Sequence, residues 1–154
     1  MTGAAQRTLA TPTGPLTVTE RAGAIRGVVW ADRNAADDTP LLRRAAEQIA
    51  SYFAGDLHEF DLPLAPEGTE FHLAVWRALC RIPYGETRTY GELAAEVGAI
   101  ARAVGTACGA NPIPVIIPCH RILAAGGRTG GFSGGQGVET KFKLLGLEGA
   151  VLAL

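Results

Sequence analysis

Cys119 and His120 stand side by side in Pro118-Cys119-His120-Arg121, directly after the apolar run Ile113-Pro114-Val115-Ile116-Ile117. A thiolate is the strongest nucleophile among ordinary side chains, and an imidazole within reach is the usual means of forming one. Prolines on each side of Val115-Ile116-Ile117 predict a short buried strand that delivers Cys119 to the edge of a core. Successive residues of a strand face opposite ways, so His120 is expected to act on the thiol through a bridging water. Taken alone, a Cys-His pair is more often a small buried residue beside a surface imidazole. The flanking segments decide between the two.

Upstream, Phe71, Val75 and Leu79, with Trp76 and Cys80, line one face of a helix that Thr69 caps and Pro83 ends, which makes Cys80 a core residue and His72 a surface or capping one. Thr89-x-x-Glu92 is a capping box opening a helix from Tyr90 to Val97, stopped at Gly98. A second helix, Ile100 to Gly109, follows at once, and two short helices about a glycine read as helix-turn-helix. That second helix is nearly bare of large side chains, and its interior Gly105 suggests close approach of something to the backbone. A major-groove reader would carry amide or basic side chains for base edges. A smooth helix with one arginine suits a minor groove; tight helix packing is the alternative.

The earlier part of the chain carries no chemistry. Residues 14–31 alternate as a hairpin about Arg21-Ala22-Gly23-Ala24, with a bulge at Gly27. Leu41, Leu42, Ala45, Ile49 and Phe53 predict an amphipathic helix capped by Asp38 or Thr39. Phe60, Leu62 and Leu64 read as a short edge strand, Met1 to Pro15 as a loose tail, and Trp30, Tyr52 and Phe53 as core. The breakers Pro66 and Gly68 place a boundary near residue 65.

Three cysteines in 154 residues, with no paired spacing, suit free thiols, and the absence of CxxC together with scattered His58, His72 and His120 argues against a metal site. No apolar stretch approaches the ~18 residues of a membrane span, and a soluble cytoplasmic protein is expected. The net charge is −1, yet no carboxylate occurs between Glu96 and Glu139 while Arg102, Arg121 and Arg128 do. A local cationic face on a near-neutral chain fits modest, salt-sensitive DNA affinity; on composition alone, a Gly-rich segment that happens to lack acids fits as well.

Asn111 to Ile122 resembles the active-site signature of the O6-alkylguanine-DNA alkyltransferases. Tyr84-Gly85-Glu86-Thr87, Thr89 to Ala94 and Arg102-Ala103-Val104-Gly105 are similar to that family's approach to its helix-turn-helix and to its second helix. Gly131 to Gly135 and Leu144 to Gly149 resemble its lesion loop and closing helix. The resemblance implies an α+β chain: an N-terminal α/β domain over residues 1–65, with antiparallel hairpin and helix, then a mostly helical, winged-helix-like domain over 66–154. It implies irreversible transfer of an alkyl group from O6-alkylguanine in double-stranded DNA to Cys119, in a monomer without cofactor, and leaves activity on O4-alkylthymine open. Glu148 then orients His120, Tyr90 offers a hydroxyl to the base, and Asn111 ties the helices to the site. The Ser133 N–H and the Cys119 and Ile122 carbonyls meet the base, Phe132 and Gly134 belong to the pocket wall, and Arg102, Ala103 and Thr106 face DNA. Because a stacked base is out of reach of a cysteine held in a core, the nucleotide must be flipped out, with Arg102 filling the gap.

Two departures stand out. The turn from Gly98 to Arg102 is shorter than in that family, and Phe132 stands where an aromatic hydroxyl is common. Three other readings compete: a lesion-binding protein that does not transfer, against which Cys119 argues; a Cys-His hydrolase, which leaves the two helices without a use; and a plain transcription-factor domain, which leaves the Pro-Cys-His-Arg segment without one.

Overall fold

A computed structural model describes residues 3–150 and divides the chain into two compact units, Met1–Glu67 and Gly68–Leu154. Among the described residues it is a mixed α/β protein with five α-helices and a small antiparallel sheet.

In the first unit β1 (Ala5–Leu9), β2 (Leu16–Arg21) and β3 (Ala24–Val29) form a three-stranded antiparallel sheet in that order. The β2–β3 turn uses Ala22 and Gly23, both left-handed at φ 53° and 78°, the two-residue geometry that matches strand twist. The register slips at Thr19/Glu20, so that Thr19 faces Gly27 and Glu20 faces Ile25. This bulge is why Ile25 and Val28, three apart, are both buried.

Two expectations fail here. The segment taken as a loose tail contains β1, held by the full β2 ladder and by a Thr8–Thr17 hydroxyl bond of 2.7 Å; Met1 and Thr2 lie outside the described residues. Residues 60–64 make no strand. Pro63 lends only its carbonyl, and Leu64 forms a single bridge to Ile25, because proline cannot extend a ladder. Helix α1 (Pro40–Phe53) is capped by Thr39, whose hydroxyl accepts from the Leu42 N–H. Tyr52 is fully buried, whereas Trp30 and Phe53 are half-buried.

The second unit holds α2 (Glu70–Cys80), β4 (Arg88–Thr89), α3 (Tyr90–Val97), α4 (Ala101–Gly109), β5 (Ile122–Leu123) and α5 (Val138–Leu147). Thr69 caps α2 by accepting from the His72 N–H, and the half-buried His72 ring stacks on Trp76. Trp76 ties α2 to α4 through Nε1, which donates to the Ala107 carbonyl at 2.9 Å. Cys80 is exposed, not core, since it closes the helix where the apolar face has ended.

Both halves of the Thr89/Glu92 capping box form: the Glu92 N–H donates to Thr89 Oγ1 at 3.0 Å, and the Thr89 N–H donates to Glu92 Oε1 at 2.8 Å. Gly98 ends α3 in the left-handed region at φ 70°, as a C-terminal glycine does. Helix α4 begins two residues after Ala99, and a Cβ on Gly105 would meet the Tyr90 ring at 3.8 Å, an ordinary contact. The neighbour expected at Gly105 is therefore that ring, at a distance that alanine would also tolerate.

The capping box sets the N-terminus of the helix that begins at Tyr90. Thr89→Ala should cost about 1 kcal/mol, the usual worth of such a cap, read as a lower urea midpoint that Thr89→Ser restores. An unchanged midpoint would show that the start of α3 is fixed from elsewhere.

Candidate active site

The run Ile113–Ile117 is a closed turn rather than a strand. The Ile117 N–H donates to the Ile113 carbonyl at 2.8 Å, and Val115 sits at φ 72°, a region that β-branched residues avoid. Asn111 enforces it: its Oδ1 accepts from the Ile113 N–H at 3.0 Å and its Nδ2 donates to the Ile117 carbonyl at 2.9 Å. With Pro112, Pro114 and Pro118 donating nothing, a ladder was never available to this stretch.

Cys119, His120 and Arg121 then form a short 3-10 turn, closed by the Arg121 N–H to the Pro118 carbonyl at 3.0 Å. The opposite-face rule of a strand therefore does not govern Cys119 and His120. Immediately after, β5 pairs in parallel with β4, Arg88 opposite Ile122 and Thr89 opposite Leu123. That short ladder links the residues after Cys119-His120-Arg121 to those just before Tyr90.

Three buried side chains, those of His120, Arg121 and Glu148, meet in one cluster. His120 Nε2 lies 2.7 Å from Glu148 Oε2, with neither side chain exposed. Arg121 donates from Nε to Glu148 Oε1 at 2.8 Å and from its Nη2 to Oε2 at 3.0 Å, while its Nη1 donates to the Ile82 carbonyl at 2.7 Å. The Gly85 N–H adds a longer bond to Oε1, 3.3 Å, and the guanidinium lies over the Tyr84 ring at 5.8 Å. Arg121 is thus a partner of Glu148 and not a surface cation, which corrects its place in the expected cationic face. Arg102 and Arg128 are exposed.

A charged Glu148 holds the proton of the ring on Nε2 and leaves Nδ1 as a bare acceptor. Nδ1 is buried without a hydrogen-bond partner among the described residues. Burial pushes the His120 ring below its usual range, with Glu148 opposing, so the ring rests neutral. Burial pushes the Cys119 thiol up, with Asn111 hydrogen bonding and the Lys141 charge opposing; Cys119 is 9% exposed. At rest the Cys119 thiol and the His120 ring are therefore both neutral.

Ile122 is fully buried beneath this turn, whereas Ser133 is exposed and Phe132 and Gly134 are half-buried in the glycine-rich loop. Arg102 and Thr106 are exposed on α4 and Ala103 is half-buried; the Arg102 side chain has no partner among the described residues. Tyr90 is half-buried and touches Gly105 and Gly130. Sequence reasoning gave no role to Lys141, which is fully buried. Its spacing to Leu144, Leu145 and Glu148, all buried on one helical face, is the signal that marks it.

Residues 70–150 match the family described as 6-O-methylguanine DNA methyltransferase, DNA binding domain. The chain belongs to this family. It is 42% identical over 151 residues to the methylated-DNA–protein-cysteine methyltransferase of Mycobacterium bovis, covering 92% of this chain and 90% of that one. The namesake from Methanosarcina acetivorans is 50% identical over 116 residues, 74% of this chain and 73% of that one. Among solved structures, Mycobacterium tuberculosis OGT in complex with DNA is 43% identical, with a TM-score of 0.85 over 94% of this chain and 92% of that chain.

Because the folded His120 ring sits below its unfolded pKa, the folded protein binds that proton less readily. Its contribution to stability is complete above about pH 6.5 and is lost as pH falls from there toward the lowered value. The stability advantage of the wild type over His120→Gln, read from urea midpoints, should shrink through that window. A widening gap would mean that the imidazolium is the folded form.

Proposed function

We propose that this chain repairs DNA directly, moving the alkyl group of O6-alkylguanine onto its own Cys119 in a single irreversible step. The observation that carries this reading is a buried Cys119 next in the chain to a buried, neutral imidazole that Glu148 orients and whose Nδ1 has no hydrogen-bond partner among the described residues. In the step, Nδ1 takes the thiol proton through a water, sulfur attacks the sp3 carbon, and guanine departs with the electron pair of the broken C–O bond. A thioether has no easy hydrolytic exit, unlike the thioester of a hydrolase, so each molecule acts once.

Glu148 balances the imidazolium that forms, as the orienting acid of a Ser-His-Asp triad does, and Arg121 keeps it ionised. Tyr90 supplies its hydroxyl to the departing base, and the Ser133 N–H meets O6 as charge develops there. The carbonyls of Cys119 and Ile122 accept from the exocyclic amine, with Phe132 and Gly134 in the pocket wall. Asn111 holds the turn that fixes the sulfur.

Residues 66–154 form the DNA-binding and transfer domain, and residues 1–65 a separate α/β domain. Helices α3 and α4 act as a helix-turn-helix that lays α4, with Ala103 and Thr106, into the minor groove. Arg102 enters the stack when the lesion flips out. DNA as partner is supported by the relative solved with DNA and by the acid-free span around α4; the protein acts as a cytoplasmic monomer. The presence of a placed nucleophile disfavours a lesion binder that does not transfer.

Intact mass spectrometry after incubation with an O6-methylguanine duplex should show one added methyl group per chain, on the peptide containing Cys119, and then no further change. Catalytic turnover, or a methyl on Cys80 or Cys108 instead, would sink the reading. Arg102→Ala should slow duplex repair by the equivalent of 1–3 kcal/mol, on the order of the cost of unstacking a base, while reaction with free O6-benzylguanine stays near wild type. Equal slowing on both substrates would make Arg102 a structural residue.

A further inference from the structure

Lys141 is an ammonium on α5 with none of its surface exposed, and the relay of His120, Glu148 and Arg121 does not use it. A lone buried ammonium is costly, and one persists where carbonyls or carboxylates satisfy it. Lys141 Nζ donates to the carbonyls of Thr129 and Gly131, the second at 3.2 Å. Those carbonyls flank Gly130, left-handed at φ 66°. Gly130 stands so near Tyr90 that an added Cβ would come within 3.0 Å of its ring and 3.3 Å of its hydroxyl. One physical chain therefore runs from the ammonium to the two carbonyls, to Gly130 between them, and to the face of Tyr90.

The base of the segment is closed by the Ala124 N–H to the Arg128 carbonyl at 2.8 Å and by the Gly127 N–H to the Ala124 carbonyl at 3.1 Å, and glycines at 126, 127, 130 and 131 allow the backbone to take other shapes. Charge-assisted bonds to both sides of Gly130 remove that freedom where the loop meets Tyr90.

We propose that Lys141 is a positioning residue that staples the Thr129–Gly131 wall of the base pocket against Tyr90, so that the pocket is formed before the flipped base arrives. This rests on the alkyltransfer reading, in which Tyr90 meets the base. The titratable groups facing the ammonium are Cys119 and His120 of the 3-10 turn and Cys108 of α4. Pre-forming the wall affects how readily the base is held, and not the rate at which a held base reacts.

Single-turnover kinetics with free O6-benzylguanine separate the two, through the concentration giving half-saturation and the limiting rate. Lys141→Met should raise the half-saturation concentration about tenfold or more, the worth of a lost charge-assisted bond, and leave the limiting rate within about a factor of two. Its amides at Gly130 and Gly131 should exchange hydrogen faster than in the wild type.

Burial lowers the Lys141 ammonium to about 8, whereas His120 is pushed down and Cys119, Tyr90 and Cys108 are pushed up, Cys108 to about 12. In the wild type, half-saturation should therefore weaken as pH rises through about 8, an outcome that needs no variant to fold, and the Met variant should lose that inflection. Wild-type half-saturation that is flat through this range, or a Met variant with normal half-saturation and exchange, overturns the staple. A variant whose limiting rate alone falls assigns Lys141 to the thiol instead. A wild type that takes no methyl from an O6-methylguanine duplex refutes the activity, and the exchange comparison still decides the staple.

Discussion

A carboxylate buried without partners would protonate, and Glu148 does not have to, because Arg121 grips both of its oxygens and His120 takes a third bond. The rest of the second unit is arranged around that charge. Arg121 also reaches back to the Ile82 carbonyl at the end of α2, and the Gly85 N–H comes in from the segment leading to β4. The end of α5, the end of α2 and the 3-10 turn therefore share one electrostatic centre. Removing one member of such a cluster leaves the others buried and uncompensated, which costs far more than a surface pair. Cys119 belongs to the same turn, so the thiol proposed to take the alkyl group is held by the bonds that hold the fold.

Arg121 has a second effect on the chemistry. A carboxylate paired only with imidazole would draw a proton to the ring and hold His120 as imidazolium at rest. With the guanidinium already neutralising Glu148, the imidazole has less to gain from ionising, and burial tips it toward the neutral form. The neutral form is the one able to accept a proton. One arginine thus keeps the acid ionised and the base unprotonated at once.

What could be read from the chain depended on how local the determinants were. Thr69 and Thr89 announce their helices because a cap and its partner lie within one turn, and the residues of the Asn111–Ile122 segment carry their own signature. Glu148 came through resemblance, since nothing near it in sequence shows that it meets His120. The turn at Val115 was read as a strand because apolar residues between prolines look extended. The two bonds made by Asn111, with the Ile117 N–H to the Ile113 carbonyl, hold the left-handed residue. Strand β1 was hidden by its polar alternation, which pays off only when Thr8 finds Thr17 on the next strand. The burial of Arg121 and Lys141 is hidden in the sequence for one reason. A cation is assumed to seek water until a partner distant in sequence is known.

The burial of Cys119 also bears on the lifetime of the unused protein. Oxidation of cysteine follows thiolate content and access, and Cys119 is poor in both, with a raised thiol at 9% exposure. Cys80, at the open end of α2, is the exposed sulfur of the three. A protein spent by a single encounter is a stored reagent, and its worth falls with every molecule oxidised on the shelf. A sulfur kept protonated and covered reacts slowly with oxidants, and in the proposed transfer it is a seated base that brings the wanted reaction within reach.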